Sequence, residues 1–540
     1  MTPKKDERKV VAYSGSSLNV TENVINLAGL ILKELFGDIT EGVAQELMRW
    51  NDQTFSSLIK RSSSLSSYKG KVLQQKLSQA MIILIKHNLV TFSRSSDDRL
   101  VRYTFHAEQA LNLIRYPRFI ILAKTLFGDE GEVLVEELLF HGQERASNVI
   151  YRAGKRLGLS RISGDCNKAE LLSITIRKLH STFIEMMKCH FIGRTESLNL
   201  SEPDNEDDND QRIFNETSDN VINEAMKYSM PPIDLKPILE RVNKELDSNE
   251  CDIQEEKQFL ESLSDNKVLC KANISRFHRE FRDLLIVQAV QRRIDVSAGN
   301  LMRVMLTLMN ETSPWLDVST YIHGADIISR IQSAPGTSAA GADSRLQKYH
   351  DEYLKVLAED RTRFCDKVGD AGGGQFMINS KHIFTELASA TAENIVLEKF
   401  GSKALRIFRV IREKLHVEES QLPIYVMIPA KEIKLLTYQL LENNFIQLQE
   451  LRKNMSNNAP TKSFYLFYVD LNQVARTVAE MCRKALANSF TRKNYEAMQN
   501  KRLLDKQVRV MLQVVFLIIS CNKKYFMPNM IFELIFTGKD

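Results

Sequence analysis

The chain lacks the cysteine pattern of a disulfide scaffold or a zinc site. Its seven cysteines (Cys166, Cys189, Cys251, Cys270, Cys365, Cys482, Cys521) are odd in number and scattered, and no two form a Cys-x-x-Cys pair. Single scattered thiols read as reduced cysteines of an intracellular protein. Nothing near the start resembles a signal peptide: residues 1–23 are polar and Lys-containing and read as a disordered tail. Gly-x-Ser-x-Gly is absent. Gly372-Gly373-Gly374 lacks P-loop spacing and no Lys-Ser or Lys-Thr pair follows it, so a hairpin turn fits better than a phosphate cradle. Cys189-His190 places sulfur beside imidazole, but no second pair stands at ligand spacing. His278 lies in a charged amphipathic helix, where a capping or surface role outweighs that of a base. The carboxylate pairs Glu136-Glu137, Asp207-Asp208 and Glu418-Glu419 sit in charge-rich, solvated surroundings. No catalytic residue, metal site or cofactor is expected, and the chain does not read as an autonomous enzyme.

What is present is unevenly distributed charge. A length of 540 residues accommodates roughly three to five compact units. The net charge of +5 divides into +8 over residues 1–195, −13 over 196–270, zero over 271–395 and +10 over 396–540. Basic modules can lie along a phosphate backbone, whereas an acidic stretch is solvated or docked on a basic partner.

One local pattern recurs. An apolar run of helical period ends in a polar pair and then a bulky apolar pair. It reads Ala80–Lys86 with His87-Asn88 and Leu89-Val90, then Ile184–Lys188 with Cys189-His190 and Phe191-Ile192, then Leu440–Glu442 with Asn443-Asn444 and Phe445-Ile446. Each copy reads as a buried helix capped by residues that tolerate the left-handed region, followed at once by a strand. That is how the third helix of a winged-helix domain enters its wing. A third unit carries a wing without the clean stop: Phe364–Val368, a Gly loop, then Gln375–Ile378. The predicted fold is mainly α with small β wings, a tandem array of four extended winged-helix domains plus a C-terminal coiled coil. The units span 24–106, 107–195, 268–383 (with a flexible insertion over 333–343) and 384–470. Residues 196–267 form an acidic, partly disordered linker, with Glu202–Asp210 its most charged run. A long polar helix over 471–510 has few apolar positions and calls for a partner helix. Residues 511–540 form an atypical apolar tail, too short in its apolar part to span a bilayer and broken by Lys523, Lys524 and Pro528. The tail reads as truncated or alternative, and no membrane partner is expected.

Basic residues are the candidates for function. Lys60, Arg61, Lys69, Lys71 and Lys76 gather on the turn and long helix of the first unit, and Arg94, Arg99 and Arg102 on its wing. A recognition helix and wing are the elements that approach DNA in helix-turn-helix proteins. Few side chains here suit base reading, so contact with single- or double-stranded DNA would be weak and sequence-tolerant. Solvated faces or docking on protein are the competing readings, and docking is favoured for any single unit.

Several stretches resemble the third-largest subunit of eukaryotic RNA polymerase III. They are Arg115-Tyr116-Pro117-Arg118-Phe119, Lys124–Phe127 and Gly131–Leu139, then Arg276-Phe277-His278 with Phe281-Arg282-Asp283, and Gly369–Gly374. Phe400–Arg409, Met427–Glu432 and Asn500–Lys506 extend the likeness in order, over about 24–510. The resemblance implies a non-catalytic nuclear subunit. Such a subunit is the scaffold of a peripheral initiation subcomplex that supports promoter opening and the synthesis of tRNA and 5S rRNA. Implied partners are the clamp of the largest subunit, a smaller winged-helix subunit, a small acidic-tailed subunit and transcription factor IIIB. Within the matching stretches, Arg115, Tyr116, Arg118, Phe277, Phe281, Arg406, Arg409 and Lys431 are the subunit-docking candidates. The alternative is a stand-alone winged-helix DNA-binding transcriptional regulator.

Overall fold

The computed structural model describes residues 20–50, 53–62, 71–94, 101–161, 168–195, 226–247, 259, 263, 268–312, 318–333, 344–360, 362–452, 463–507 and 509–511. Lys69, Arg99, the Glu202–Asp210 run, residues 334–343 of the expected insertion and the apolar tail from 512 lie outside them. The chain forms two units: residues 1–277 with 483–540, and residues 278–482.

The first unit opens with α1 (Glu22–Phe36), two residues inside the expected tail, then α2 (Asp38–Arg49), β1 (Gln53–Thr54), α3 (Phe55–Ser62) and α4 (Lys71–Lys86). Strands β2 (Val90–Arg94) and β3 (Val101–Phe105) follow, giving an antiparallel sheet of order β1-β3-β2. Val24, Leu27, Ala28 and Ile31 recur at helical spacing on α1 and are buried with Leu73, Leu77, Ala80 and Leu84 of α4. Where α4 stops, Asn88 takes a φ of +58°. Leu89 N–H reaches back to Leu84 O at 2.9 Å and Asn88 N–H to Ile85 O at 3.0 Å, the two bonds of a Schellman cap. The cap turns Leu89 and Val90 straight into the core.

The rest of this unit comprises α5 (Ala107–Asn112), α6 (Tyr116–His141), β4 (Glu144–Arg145), α7 (Ala146–Arg161), α8 (Lys168–Lys188), β5 (Ile192–Arg194), α9 (Leu235–Asp247) and β6 (Leu269–Ala272). Helix α6 is interrupted at Gly128, whose φ of +75° no other residue type adopts readily. The stop after α8 repeats the first. His190 has φ +64°, Phe191 N–H donates to Met186 O at 2.9 Å, and His190 N–H to Met187 O at 3.0 Å. The His190 ring stacks on Tyr228 at 4.0 Å, which gives this histidine a structural contact.

Here the structure corrects the expected boundaries. The sheet has the order β4-β6-β5, so its central strand is β6, which stands beyond the acidic stretch. Ile192, Gly193 and Arg194 pair with Ala272, Lys271 and Cys270. Residues 269–277 therefore complete the unit expected to end at 195, and do not begin the next one at 268. The linker is also not uniformly open, because α9 buries Ile238 and Val242. A local pattern cannot reveal a pairing whose strands are separated by a long acidic segment.

The second unit contains most of α10 (Ile274–Arg293), then α11 (Val296–Thr312), β7 (Ile322–His323), α12 (Gly324–Ser333), α13 (Ser344–Glu359), β8 (Asp366–Gly369) and β9 (Gln375–Met377). Its first sheet has the order β7-β9-β8. The triglycine is the turn between β8 and β9, with φ of +64°, +82° and +101°. Gly324 N–H donates to Gly374 O at 2.8 Å, and a Cβ on Gly324 would lie 2.4 Å from Gly373 O. The glycines thus let the hairpin meet the start of α12. Asp283 ties α10 to α11, accepting from Arg282 Nε at 3.0 Å and Asn310 Nδ2 at 2.6 Å. Burial pushes its carboxyl above the usual range against the pull of Arg282.

The unit continues with α14 (Ser380–Phe400), α15 (Ser402–Lys414), β10 (Val417–Glu418), α16 (Leu422–Val426), α17 (Ala430–Glu442), β11 (Gln447–Arg452) and β12 (Ser463–Tyr468), whose sheet has the order β10-β12-β11. The stop after α17 is the third copy: Asn444 φ +59°, Phe445 N–H to Leu440 O at 2.9 Å, Asn444 N–H to Leu441 O at 3.0 Å. Helix α18 (Leu471–Gln499) comes last, followed by a helical segment over 501–507. Within the second unit Val474, Val478 and Met481 of α18 join the core. Within the first, Ala487 and Phe490 pack on the core of α1–α4, and Lys493 pairs with Glu34 at 2.5 Å. Val474, Val478, Met481, Ala487 and Phe490 are thus covered by globular cores, whereas Leu486 between them stays exposed.

Candidate nucleic-acid and subunit interfaces

The basic candidates of the first unit fall into three places. Lys60 and Arg61 end α3: Lys60 is exposed, while the Arg61 guanidinium lies 4.3 Å over the Trp50 ring. Lys71 and Lys76 are both exposed on α4. Five residues apart, they point about 140° from one another around the helix and do not form one stripe. Arg102 is exposed on β3, in register with Ser93 of β2 and Thr54 of β1. Since α3 begins right after Thr54, Arg102 stands beside its start and Lys60 about 9 Å further along its axis. The backbone of Arg94 ends β2, opposite Val101. Arg102 and Lys60 thus stand along β3 and α3, whereas Lys71 and Lys76 face different directions on α4. Trp50 was not singled out in the sequence. A tryptophan closing a helix one short loop before a basic turn was the signal available.

The docking candidates divide by burial. Phe277 is fully buried, its ring 5.1 Å from Phe119 and 5.0 Å from Phe191. Its side chain is core and offers no docking surface. Tyr116 packs on the α1–α4 core and lies 6.1 Å from Phe119, and burial raises its hydroxyl to about 12. Arg115, Arg118, Arg406, Arg409 and Lys431 are exposed, and Phe281 is half-buried. Arg409 reaches Glu393 at 2.7 Å, and Arg412, from the next turn of α15, reaches the same carboxylate at 2.9 Å. Arg276, within a matching stretch though not a candidate, lies 4.5 Å over the Phe191 ring and donates to Cys189 O at 3.3 Å.

A second set of contacts, missed in the sequence, joins the turn between α6 and β4 to the α4 stop. Gln143 N–H donates to Lys86 O at 2.8 Å, Gln143 Nε2 to Asn88 Oδ1 at 2.5 Å, and Lys86 pairs with Glu144 at 3.2 Å. Opposite charge and hydrogen bonding hold Glu144 below the usual carboxylate range despite its burial. Among the described residues no group of three or more His, Cys, Asp or Glu could hold a metal ion, and no helix is long and apolar enough to cross a membrane.

Four three-stranded sheets set on helices, with exposed cations beside the first, are features shared by proteins that contact other macromolecules. Comparison with known families bears on which. The RNA polymerase III subunit RPC82 helix-turn-helix domain matches residues 26–95, the RNA polymerase III subunit RPC82 model matches 181–387, and the POLR3C C-terminal winged-helix domain matches 392–469. The chain is 33% identical to DNA-directed RNA polymerase III subunit RPC3 of Bos taurus over 497 residues, covering 91% of this chain and 88% of that protein. The human relative of the same name is also 33% identical, over 91% of this chain and 88% of its own length. The Dictyostelium discoideum subunit is 21% identical over 88% of this chain and 92% of its own. The chain belongs to the RPC3/RPC82 family of RNA polymerase III subunits. That membership disfavours a stand-alone regulator.

Proposed function

We propose that the chain is a non-catalytic, nuclear subunit of DNA-directed RNA polymerase III. It acts as the scaffold of a peripheral initiation subcomplex that supports promoter opening and transcription of tRNA and 5S rRNA. The observation that carries this reading is the likeness to RPC3 along nearly the whole chain. In this reading the four small sheets and their helices are four extended winged-helix domains, and α18 with the segment after it is one limb of a coiled coil. Its partners are the clamp of the largest subunit, a smaller winged-helix subunit, a small acidic-tailed subunit and transcription factor IIIB. Arg115, Arg118, Phe281, Arg406, Arg409 and Lys431 contribute to docking. Lys60, Arg61, Lys69, Lys71, Lys76, Arg94, Arg99 and Arg102 contact the phosphate backbone of single- or double-stranded DNA weakly and without sequence preference.

Purification of the tagged full chain from nuclear extract tests the assembly. Recovery with the largest polymerase III subunits supports it; recovery as a free dimer bound to one DNA sequence refutes it.

A further inference from the structure

Apolar side chains crowd the surface where α15 turns into β10 and along the short helix α16. Leu415 is 69% exposed, Ile424 74% and Met427 85%, with Tyr425 beside them. Two of these stand on backbone that L-residues adopt reluctantly. Leu415 has φ +66° and ψ −57°, and His416 N–H donates to Lys414 O at 2.8 Å, forming a γ-turn of the rare positive-φ hand. Met427 ends α16 in the left-handed region, with φ +56° and ψ +45°. Glycine would make either turn with less strain. Strain of this kind persists where the surroundings enforce it, and here they do. Arg406 Nη1 donates to Val426 O at 3.4 Å, and Lys414 Nζ lies 5.4 Å over the Tyr425 ring. Two cations from α15 therefore hold α16 in place.

Among the described residues, two cations of this face have no carboxylate at ion-pair distance, Glu413, Glu418 and Glu419 of the same segment included. Lys403, Arg409 and Arg412 are neutralised by Glu432, Glu393 and Glu386. Among the described residues, neither Arg406 nor Lys414 is in an ion pair. An occupant must cover aliphatic side chains and bring negative charge to their edge. A nucleic-acid backbone supplies charge without an apolar face. A second copy of this chain would bring the same unpaired cations into the interface.

We propose that Leu415, Ile424 and Met427, edged by Arg406 and Lys414, dock an acidic amphipathic segment of a partner polypeptide. The segment's apolar side chains cover the three exposed ones, and its carboxylates pair with the two cations. This rests on reading the chain as a subunit of an assembly, and it gives the docking residue Arg406 a partner chemistry.

The test uses the full chain and two synthetic helical peptides. One carries Leu at positions i, i+3, i+4 and i+7 with Glu elsewhere; the other has Lys for Glu. Binding is measured by fluorescence anisotropy. The Glu peptide is expected to bind and to weaken as salt rises, with the Lys peptide at least about tenfold weaker. The double variants Ile424→Ser with Met427→Ser, and Arg406→Glu with Lys414→Glu, should each weaken the Glu peptide by about tenfold or more. Leu415→Gly keeps the turn while removing its strain. It should melt no lower than the parent yet bind the Glu peptide less well, and it decides the matter if a double variant fails to fold. Equal binding of both peptides, indifference to the substitutions, or no binding would overturn the proposal. Each of those results leaves recovery with the polymerase untouched, so failure here is separable from failure of the assembly reading.

Discussion

Replacing Phe277 by alanine separates two roles that its sequence context leaves open. The ring is fully buried, with centroids 5.1 Å from Phe119 and 5.0 Å from Phe191, and Phe191 is itself 5.4 Å from Phe127. Phe-to-Ala changes at such sites cost about 3–5 kcal/mol, combining lost transfer energy, the residual cavity and the lost ring contacts, of which that with Phe191 is edge-to-face. The effect should concentrate on β5 and β6, because Phe191 immediately precedes β5 and Phe277 lies five residues past β6. A global melt of a two-unit chain does not yield a single free energy. Amide hydrogen exchange of residues 192–194 and 269–272 reads the local loss directly. At 1.4 kcal/mol per tenfold, exchange there should accelerate by about two to three and a half decades, up to the limit set by global unfolding. Phe277→Leu, which keeps most of the volume, should cost less than about 1.5 kcal/mol. Unchanged protection of 192–194 in the isolated Phe277→Ala chain, together with weakened assembly, would refute the core assignment and restore Phe277 as a docking residue.

Three further outcomes follow from the geometry. His87 is held near a pKa of about 4, first by burial and then by Lys86 and His141, so folding favours its neutral form. The stabilisation is present above the unfolded value of about 6.5 and is lost as pH falls through about 4, up to about 3 kcal/mol. His87→Phe should flatten acid destabilisation over that window in pH-dependent urea melts, and an unchanged profile would contradict the cause. Gly142→Ala should destabilise more than Gly401→Ala. Both glycines have positive φ, worth about 1–3 kcal/mol of strain to alanine, but only at Gly142 would the new Cβ meet a carbonyl, Lys86 O at 2.4 Å. Equal melting shifts would remove that clash from the account. Neutralising Lys69, Lys71 and Lys76 should weaken binding to unrelated DNA sequences alike and reduce the salt slope by about 0.9 for each phosphate that is no longer neutralised. A loss confined to one sequence would count against sequence-tolerant contact.

The three helix stops were legible in the chain because their causes are local. A residue that tolerates positive φ, an apolar residue after it and a periodic helix before it lie within one short window. Asn88, His190 and Asn444 accordingly adopt φ of +58°, +64° and +59°. The triglycine turn was legible for the same reason. Pairing at a distance was not: β6 completes the sheet of β4 and β5 from beyond the acidic stretch, and nothing near Leu269 announces its neighbours. Burial likewise came only with the tertiary structure. Phe277 and Phe281 lie four residues apart on one helix, yet the first is core and the second half-buried. The sequence by itself determined the repeated helix-to-strand unit and the unequal charge of the ends, since both are properties of short segments and composition. Only the tertiary structure decided which strand closes each sheet, which aromatic rings are core, and which apolar side chains stay exposed beside unpaired cations. Those depend on contacts between segments far apart in the chain, whose energies no local pattern carries.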